Sequence, residues 1–271
     1  MTRPVWPAYT SLLVEARAHH LWVTFNRPQI RNALTHQMMA EIGDVMARVR
    51  GDDDIRTVIL RGAGGQFSAG GDLNAMQDMP PAPGDGQADP MYAPYRSFGD
   101  VLQALDTLPK AVVAVVEGAA AGGGFGMACC ADVTIIRADA KFALPETQVG
   151  FIPSQILPFI ARRIGVDPLR RIAMLGLRIS GEEAFRLGVG HYLVHDEAET
   201  EACLAGVLAQ LDRCDPAAVA AVKDVVLATE FEPRRAVMDR AANHLVRLLR
   251  RPEAMEGMQA FLNKLPPPWA R

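Results

Sequence analysis

The sequence has only four cysteines, and their positions exclude the common structural zinc sites. Cys129 and Cys130 are adjacent, whereas Cys203 and Cys214 lie far along the chain. Neither pair has the spacing of zinc ligands, so we expect free thiols and no metal. The chain also lacks a basic, apolar leader of the kind that directs secretion. Together these observations favour a reducing, cytoplasmic location.

An excess of positive charge and an uninterrupted membrane-length apolar run are also missing. The formal net charge is −3, and 49% of residues are apolar while 22% are charged. These values indicate a folded globular protein without a general attraction to nucleic acid. The run from Ala111 to Ala131 has Glu117 as its only charge, but Gly122–Gly124 interrupt it. We therefore expect a buried strand followed by a buried helix, with no membrane partner.

Nucleotide-binding and nucleophile motifs are incomplete. The segment Gly122–Gly126 (GGGFG) is too short for a dinucleotide fingerprint, and no glycine run is followed by a P-loop lysine. Ser68 lacks the first glycine of a nucleophile elbow, so we expect its hydroxyl to shape a turn. No nucleotide cofactor is predicted.

Strand and helix patterns alternate along the first two thirds of the chain, which predicts an α/β fold with parallel, buried strands. Predicted strands cover 11–15, 20–25, 57–60, 112–116, 133–136 and 191–194, and predicted helices cover 36–49, 98–108, 122–130, 154–164, 168–175, 181–187, 200–211, 216–228 and 233–249.

The same pattern predicts two regions, a core over residues 1–199 and a helical subdomain over 200–271. The second is too thin to be stable alone, so we expect oligomerisation. Residues 78–90 (DMPPAPGDGQADP) predict a surface loop placed to cover a ligand.

The sequence does contain two glycine-centred segments. Residues 67–73 (FSAGGDL) and 118–126 (GAAAGGGFG) each follow a β-branched run and each precede a helical pattern. Helix N-termini leave backbone N–H donors unpaired, and glycine allows close approach. We therefore predict that the two segments aim N–H groups at one oxygen that gains negative charge, such as a thioester carbonyl. This pattern indicates an enzyme.

Glu146 is the candidate acid/base. It lies in ALPETQVG, residues 143–150, between apolar stretches that would raise its pKa and suit it to proton transfer near neutral pH. From spacing alone, a solvated turn carboxylate or a helix-capping role is slightly favoured over this one.

The chain resembles the enoyl-CoA hydratase/isomerase (crotonase) superfamily over about residues 10–264. The ordered motifs are Asn26-Arg27-Pro28 with Asn32-Ala33-Leu34, then FSAGGDL, GAAAGGGFGMACCAD, FALPETQVGFIP and the SGEEA segment at 180–184. The resemblance implies a spiral of ββα repeats with a C-terminal helical region that forms trimers, usually paired into hexamers. It also implies an acyl-CoA thioester substrate, with coenzyme A as part of the substrate and no tightly bound cofactor.

Carried over position by position, the resemblance assigns the oxyanion hole to the N–H groups of Gly71 and Gly123 and the acid/base to Glu146. Contacts to coenzyme A fall on Asn32, Ala33, Leu34, Ala69, Gly70, Asp72 and Leu73, with Phe261 and Lys264 implied to reach a neighbouring subunit's coenzyme A. Leu265 and three prolines follow Lys264 where the family has further basic residues.

Gly126 is the main departure, because two-glutamate hydratases carry their second acid there. Hydration of a 2-enoyl-CoA by one glutamate, Δ3,Δ2-isomerisation, and an idle acyl-CoA-binding protein all remain open. Ser154 stands where the related hydrolases place an aspartate, which disfavours hydrolysis. Residues 152–159 (IPSQILPF) resemble a subgroup of hydratases acting on branched, carboxylated substrates such as isohexenylglutaconyl-CoA.

Overall fold

A computed structural model describes residues 6–73 and 80–270. Its larger sheet has the order β1-β2-β3-β4-β6-β9 and its smaller sheet the order β5-β7-β8. The strands are β1 (Leu12–Arg17), β2 (His20–Phe25), β3 (Thr57–Gly62), β4 (Ala111–Val116), β5 (Ala119–Ala121), β6 (Val133–Arg137), β7 (Lys141–Ala143), β8 (Arg178–Ser180) and β9 (Tyr192–Val194). Apart from the β1–β2 and β7–β8 pairs, neighbouring strands are parallel, as the alternating pattern predicts.

Helices follow the strands in repeated units and then dominate the C-terminal third. They are α1 (His36–Arg50), α2 (Tyr92–Asp106), α3 (Gly123–Cys130), α4 (Leu157–Ile164), α5 (Val166–Met174), α6 (Gly181–Arg186), α7 (Glu197–Leu211), α8 (Pro216–Ala228), α9 (Arg234–Leu249) and α10 (Pro252–Leu262). The Thr35 hydroxyl accepts the Met38 N–H and so caps α1.

The central strands of the larger sheet, β3 and β4, are buried on both faces, which explains their continuous apolar runs. In β4, Val112, Ala114 and Val116 belong to the main core on one face. Val113 and Val115 point to the other face, where Leu204 of α7 covers them. Side chains alternate along a strand, so such a run needs a partner layer on each side.

The structure extends several of the sequence predictions. Helix α2 begins at Tyr92, six residues before the predicted start at Phe98, and α7 begins at Glu197, before the predicted region boundary at 200. Strands β5, β7 and β8 and helix α10 were not predicted, because three-residue strands carry no periodicity to detect. Residues 80–90 have no regular structure, while 78 and 79 lie outside the described residues. The division at 199/200 stays a prediction.

The C-terminal helices present apolar side chains to solvent. Helices α9 and α10 contain no buried residue in the described structure. Large apolar side chains on and after α8 that are at least 49% exposed include Val222, Val226, Phe231, Met238, Leu245, Val246, Leu249, Met255, Phe261, Leu262 and Leu265. A contiguous exposed apolar face of this kind marks an interaction surface. In the described ranges, no helix combines the length and apolar character needed to cross a bilayer.

Candidate active site

Three chain segments run side by side and end at one place. The segment at Ser68 pairs in parallel with Ala120 of β5, and β5 pairs in parallel with β7. The Gly122 N–H then donates to the Ala143 carbonyl oxygen at 2.9 Å. Parallel pairing brings carboxyl ends together, so residues 70–71, 122–123 and 146 meet at the same edge.

Gly122 lies between Gly70 and Glu146 there and is close to both. A Cβ placed on Gly122 would lie 2.7 Å from Glu146 Oε1 and 3.8 Å from the Gly70 Cα, and one on Gly70 would lie 2.8 Å from the Ala121 carbonyl oxygen. Both glycines also have positive φ, +88° at Gly70 and +46° at Gly122. Only glycine meets both requirements at these positions.

The two predicted donors are the N–H groups of Gly71 and Gly123, the residues that follow these two glycines. Gly71 forms an isolated β-bridge with Leu34. The hydrogen bonds of that bridge run from the Leu34 N–H to the Gly70 carbonyl and from the Asp72 N–H to the Leu34 carbonyl, so the Gly71 N–H is not used. Gly123 is the first residue of α3, where an N–H has no partner within the helix. Within the described ranges, neither amide donates a hydrogen bond to another protein group. Both N–H groups are therefore left without a protein acceptor in the described structure.

Helix α3 adds its dipole to one of these donors. Arg163 donates through Nη2 to the carbonyl oxygens of Cys129, at 2.9 Å, and Ala131, at the C-terminal end of α3. A cation at the negative end of a helix and an anion at its positive end are both stabilised. The field of α3 thus favours negative charge beside Gly123.

Glu146 has the environment of a proton-transfer group. It begins a single 3-10 turn at Glu146–Val149, and its Oε2 is buried with no hydrogen-bond partner in the described structure. Burial raises the pKa of this carboxyl above its ordinary value, an effect only partly opposed by a hydrogen bond to its own backbone. The prediction of a raised pKa is confirmed, and a carboxyl of this kind can take and return a proton near neutral pH.

A stability measurement tests this burial. Because the pKa of Glu146 is raised in the folded state, ionisation costs folding free energy as pH rises from the ordinary value of 4.5 towards the raised value. We expect Glu146→Gln to raise the free energy of unfolding at about pH 8, with the gain fading towards pH 4.5. Urea unfolding at both pH values measures it, and an equal gain at both would contradict the burial argument.

Ile156 occupies the space beside Gly126, and this contact was not predicted from the sequence. A Cβ on Gly126 would lie 2.3 Å from Ile156 Cγ2 and 2.6 Å from Ile156 Cβ, and Ile156 is 2% exposed. The position that holds a second acid in two-glutamate hydratases is therefore filled by a buried aliphatic side chain. No periodicity in the sequence pairs residue 126 with residue 156.

Restoring that acid by a single change is expected to fail. Gly126→Glu forces a carboxylate into the volume of Ile156, which combines overpacking with a buried charge. We expect a loss of roughly 2 kcal/mol or more in unfolding free energy and no gain in activity. Thermal unfolding with a turnover assay checks this. The double variant Gly126→Glu/Ile156→Ala relieves the clash, so a single variant as stable as the double one would refute the packing explanation.

The residues predicted to hold coenzyme A line the same edge, and several have structural tasks. Asn32 is fully buried; its Oδ1 accepts the Arg27 N–H, and its Nδ2 donates to the Ala63 and Gln66 carbonyls. Ala33 and Leu34 are also buried, which leaves mainly backbone for a ligand. The Ser68 hydroxyl donates to the Asn32 carbonyl and accepts the Gly70 N–H, so its predicted turn role is confirmed.

The remaining predicted contacts are more exposed. Leu73 is 54% exposed beside Asp72, whose carboxylate lies 3.6 Å from Arg27 Nη2. Ala69 donates its N–H to the Arg31 carbonyl. Phe261, 83% exposed, and Lys264 lie at and after the last turn of α10. Within the described part of the chain, neither side chain makes a hydrogen bond or ion pair with the Gly70–Glu146 cluster. Residues 6–73 and 80–270 contain no group of three His, Cys, Asp or Glu side chains placed to hold a metal.

Comparison with known proteins places these features in a family. The sequence model described as enoyl-CoA hydratase/isomerase matches residues 15–271. The chain is 34% identical over 258 residues to the enoyl-CoA hydratase EchA19 of Mycobacterium tuberculosis, covering 94% of each protein. It is 33% identical over 256 residues to a carnitinyl-CoA dehydratase of Citrobacter koseri, covering 92% of this chain and 94% of that protein.

Solved structures agree in fold. An enoyl-CoA hydratase/isomerase from Marinobacter aquaeolei superposes with a TM-score of 0.92 at 40% identity, covering 96% of this chain and 99% of that one. AtuE of Pseudomonas aeruginosa gives 0.91 at 42% identity, covering 96% and 100%. The predicted crotonase-like α/β fold is therefore confirmed.

Proposed function

Because the chain belongs to the enoyl-CoA hydratase/isomerase family, we propose that it adds water to a 2-enoyl-CoA thioester with Glu146 as its single acid/base. The observation that carries this proposal is the approach of Glu146 Oε1 to Gly122, which is followed by Gly123 and lies next to Gly70 and so near Gly71. The amides of Gly71 and Gly123 have no protein acceptor in the described ranges. Relatives named as a hydratase and as a dehydratase support a reaction that adds or removes water.

In the proposed mechanism, the thioester carbonyl oxygen accepts hydrogen bonds from the Gly71 and Gly123 N–H groups. The Glu146 carboxylate removes a proton from water while the hydroxyl oxygen bonds to Cβ, and the π electrons move to the carbonyl oxygen as an enolate. The two amides stabilise that oxyanion. Glu146, now protonated, returns the proton to Cα, which restores the carboxylate.

Coenzyme A enters this scheme only as part of the substrate. We propose that backbone groups of 32–34 and 69–73 hold its adenine end, because the side chains of Asn32 and Leu34 are already buried in the protein. The raised pKa of Glu146 implies that activity declines as pH falls through it, since only the carboxylate accepts a proton from water.

Isomerisation of a 3-enoyl-CoA is the second candidate, and the side chain of Ile156 favours it. That side chain fills the space of a second acid, and one carboxyl suffices to move a proton between two carbons. The assay incubates the protein with 2-enoyl- and 3-enoyl-CoAs and follows the absorbance of the conjugated thioester. Loss of absorbance from the first with water incorporation supports hydration, and gain from the second supports isomerisation.

No change in absorbance with either substrate would contradict both reactions. Binding of an acyl-CoA by calorimetry would then assign the chain to the third reading, a protein that retains the thioester site without turnover. The likeness of residues 152–159 to isohexenylglutaconyl-CoA hydratases remains a prediction about the acyl group, which the same assay tests with a branched carboxylated substrate.

We also propose that the protein is a homotrimer or a pair of trimers. Helices α9 and α10 bury no residue within one chain, and an exposed apolar face gains stability when a second copy covers it. Light scattering on the purified protein is expected to give three or six times the mass of one chain. A monomer at micromolar concentration would refute this assembly. A cytoplasmic location is proposed with it, since all four cysteines are free.

A further inference from the structure

Ser68 lies between the two chain segments that carry the proposed donors. It is fully buried, and its main chain pairs with β5 on both sides. Its N–H donates to the Ala119 carbonyl oxygen at 2.8 Å, and its carbonyl oxygen accepts the Ala121 N–H at 2.9 Å. Ala121 precedes Gly123 by two residues along the chain. The main chain of Ser68 is therefore hydrogen-bonded to the segment that leads to the second donor.

The hydroxyl of Ser68 is hydrogen-bonded to the segment that leads to the first donor. Its Oγ accepts the Gly70 N–H at 3.2 Å and donates to the Asn32 carbonyl oxygen at 2.9 Å. A side-chain oxygen that accepts an N–H two residues later closes a local turn, here one in which Gly70 has a φ of +88°. The Gly71 N–H belongs to the peptide group that follows Gly70, so its direction depends on this turn.

The side chain of Ser68 also packs against the first turn of α3. A Cβ on Gly124 would lie 2.8 Å from the Ser68 Cβ, 2.9 Å from the Ser68 carbonyl oxygen and 3.2 Å from its Oγ. Protein interiors are close-packed, so a larger residue at 124 would displace Ser68 or α3. Gly124 directly follows Gly123. One buried serine therefore lies between the turn before the Gly71 amide and the helix that begins at Gly123.

We propose that Ser68 is a positioning residue that fixes the spacing and direction of the Gly71 and Gly123 amides, so that both reach one thioester oxygen. The inference rests on the proposed function for the identity of that oxygen. The hydroxyl proton of Ser68 is already donated to Asn32, so this side chain acts through Gly70 and does not exchange protons with the substrate. Preorganised donors stabilise an oxyanion only while they stay aimed at it, and small displacements of aligned groups are costly in rate.

The experiment measures, by calorimetry on the purified protein, the affinity for two ligands that share one adenine end. Coenzyme A has no thioester carbonyl, whereas acetoacetyl-CoA is a 1,3-dicarbonyl thioester that forms an enolate. Ser68→Ala removes the acceptor of the Gly70 N–H without adding bulk. We expect the affinity for acetoacetyl-CoA, relative to that for coenzyme A, to fall at least about fivefold. The affinity for coenzyme A should change little, because the Asn32 side chain keeps its own hydrogen bonds.

Turnover of a 2-enoyl-CoA gives a second readout. Ser68→Ala is expected to lower kcat about tenfold while KM changes little, because the lost alignment matters most when negative charge develops on the oxygen. Gly124→Ala keeps the hydroxyl but crowds Ser68 from the side of α3, so it should lower the affinity ratio in the same direction.

Thr200→Val is the matched control. The fully buried Thr200 donates its hydroxyl to the Asp196 carbonyl oxygen at 2.7 Å in α7, far along the chain from both glycine segments. Its loss removes a hydroxyl hydrogen bond and should lower thermal stability, as Ser68→Ala also should. The affinity ratio should stay that of the unmodified protein, since α7 carries no proposed donor.

Each outcome decides the proposal. An unchanged affinity ratio in folded Ser68→Ala, or the same fall in Thr200→Val, would overturn it. If Ser68→Ala does not fold, the ratio in Gly124→Ala decides in its place. A ratio that falls as expected in a protein without turnover would support the positioning role while the proposed reaction fails. If the unmodified protein binds acetoacetyl-CoA no more tightly than coenzyme A, the two amides bind no such oxygen and both proposals fail.

Discussion

Glu146→Gln is expected to lower kcat for hydration by at least about 10²-fold while the affinity for coenzyme A changes little. Glutamine keeps the size of the side chain and its contact with Gly122, but it cannot take a proton from water. The adenine end of the substrate is proposed to bind backbone groups of 32–34 and 69–73, not this side chain. Steady-state kinetics with 2-enoyl-CoA and calorimetry with coenzyme A measure the two quantities.

The control for this substitution is Glu183→Gln. Glu183 is a half-buried glutamate in the first turn of α6, paired with Arg171 at 2.6 Å and absent from the glycine cluster. It should leave kcat within about threefold, as is usual for surface pairs. Turnover that survives Glu146→Gln would show that the acid/base is another residue and would remove Glu146 from the mechanism.

Gly123→Pro is expected to cost about 10²–10³-fold in kcat/KM, because it deletes one of the two N–H donors to the thioester oxygen. Position 123 is the first residue of α3, where proline is tolerated since that N–H has no helical acceptor. The change therefore removes the proposed catalytic donor without removing a hydrogen bond that holds α3.

Gly123→Ala is the matched control. Its Cβ meets the same neighbours, Leu34 Cδ1 at 2.6 Å and Phe98 Cζ at 2.8 Å, while its N–H is retained. Because both variants share the crowding by Cβ, the difference in kcat/KM between them reports the replacement of the N–H by the ring carbon of proline. Thermal unfolding of each shows whether the fold persists. Equal kcat/KM in two folded variants would mean that the Gly123 amide does not bind the reacting oxygen.

The parts of the fold with long periodic patterns were predictable from sequence. The apolar positions of α1 and the buried runs of β3 and β4 gave correct elements, because a repeated face in a helix or a strand leaves a repeated signature. Strand β5 and strand β7 were missed. Each has three residues, and their pairing depends on a partner distant in the chain.

The candidate site was also predictable only in part. The second glycine segment and Glu146 were predicted because a helix start, here that of α3 at Gly123, and a carboxyl among apolar residues are local features. The helix predicted after residues 67–73 falls outside the described residues. The filling of the Gly126 space by Ile156 joins positions 30 residues apart, and only packing reveals it.

The two donors at Gly71 and Gly123 are main-chain groups, and every residue except proline carries such a group. Natural variation can therefore exchange Glu146 or Ile156, and so alter the reaction, while the proposed activation of the thioester by these amides persists. In such a scaffold, the main-chain amides proposed to bind the thioester do not depend on the side chains that vary. New substrates can then be acquired one side chain at a time, without first losing the power to stabilise an enolate.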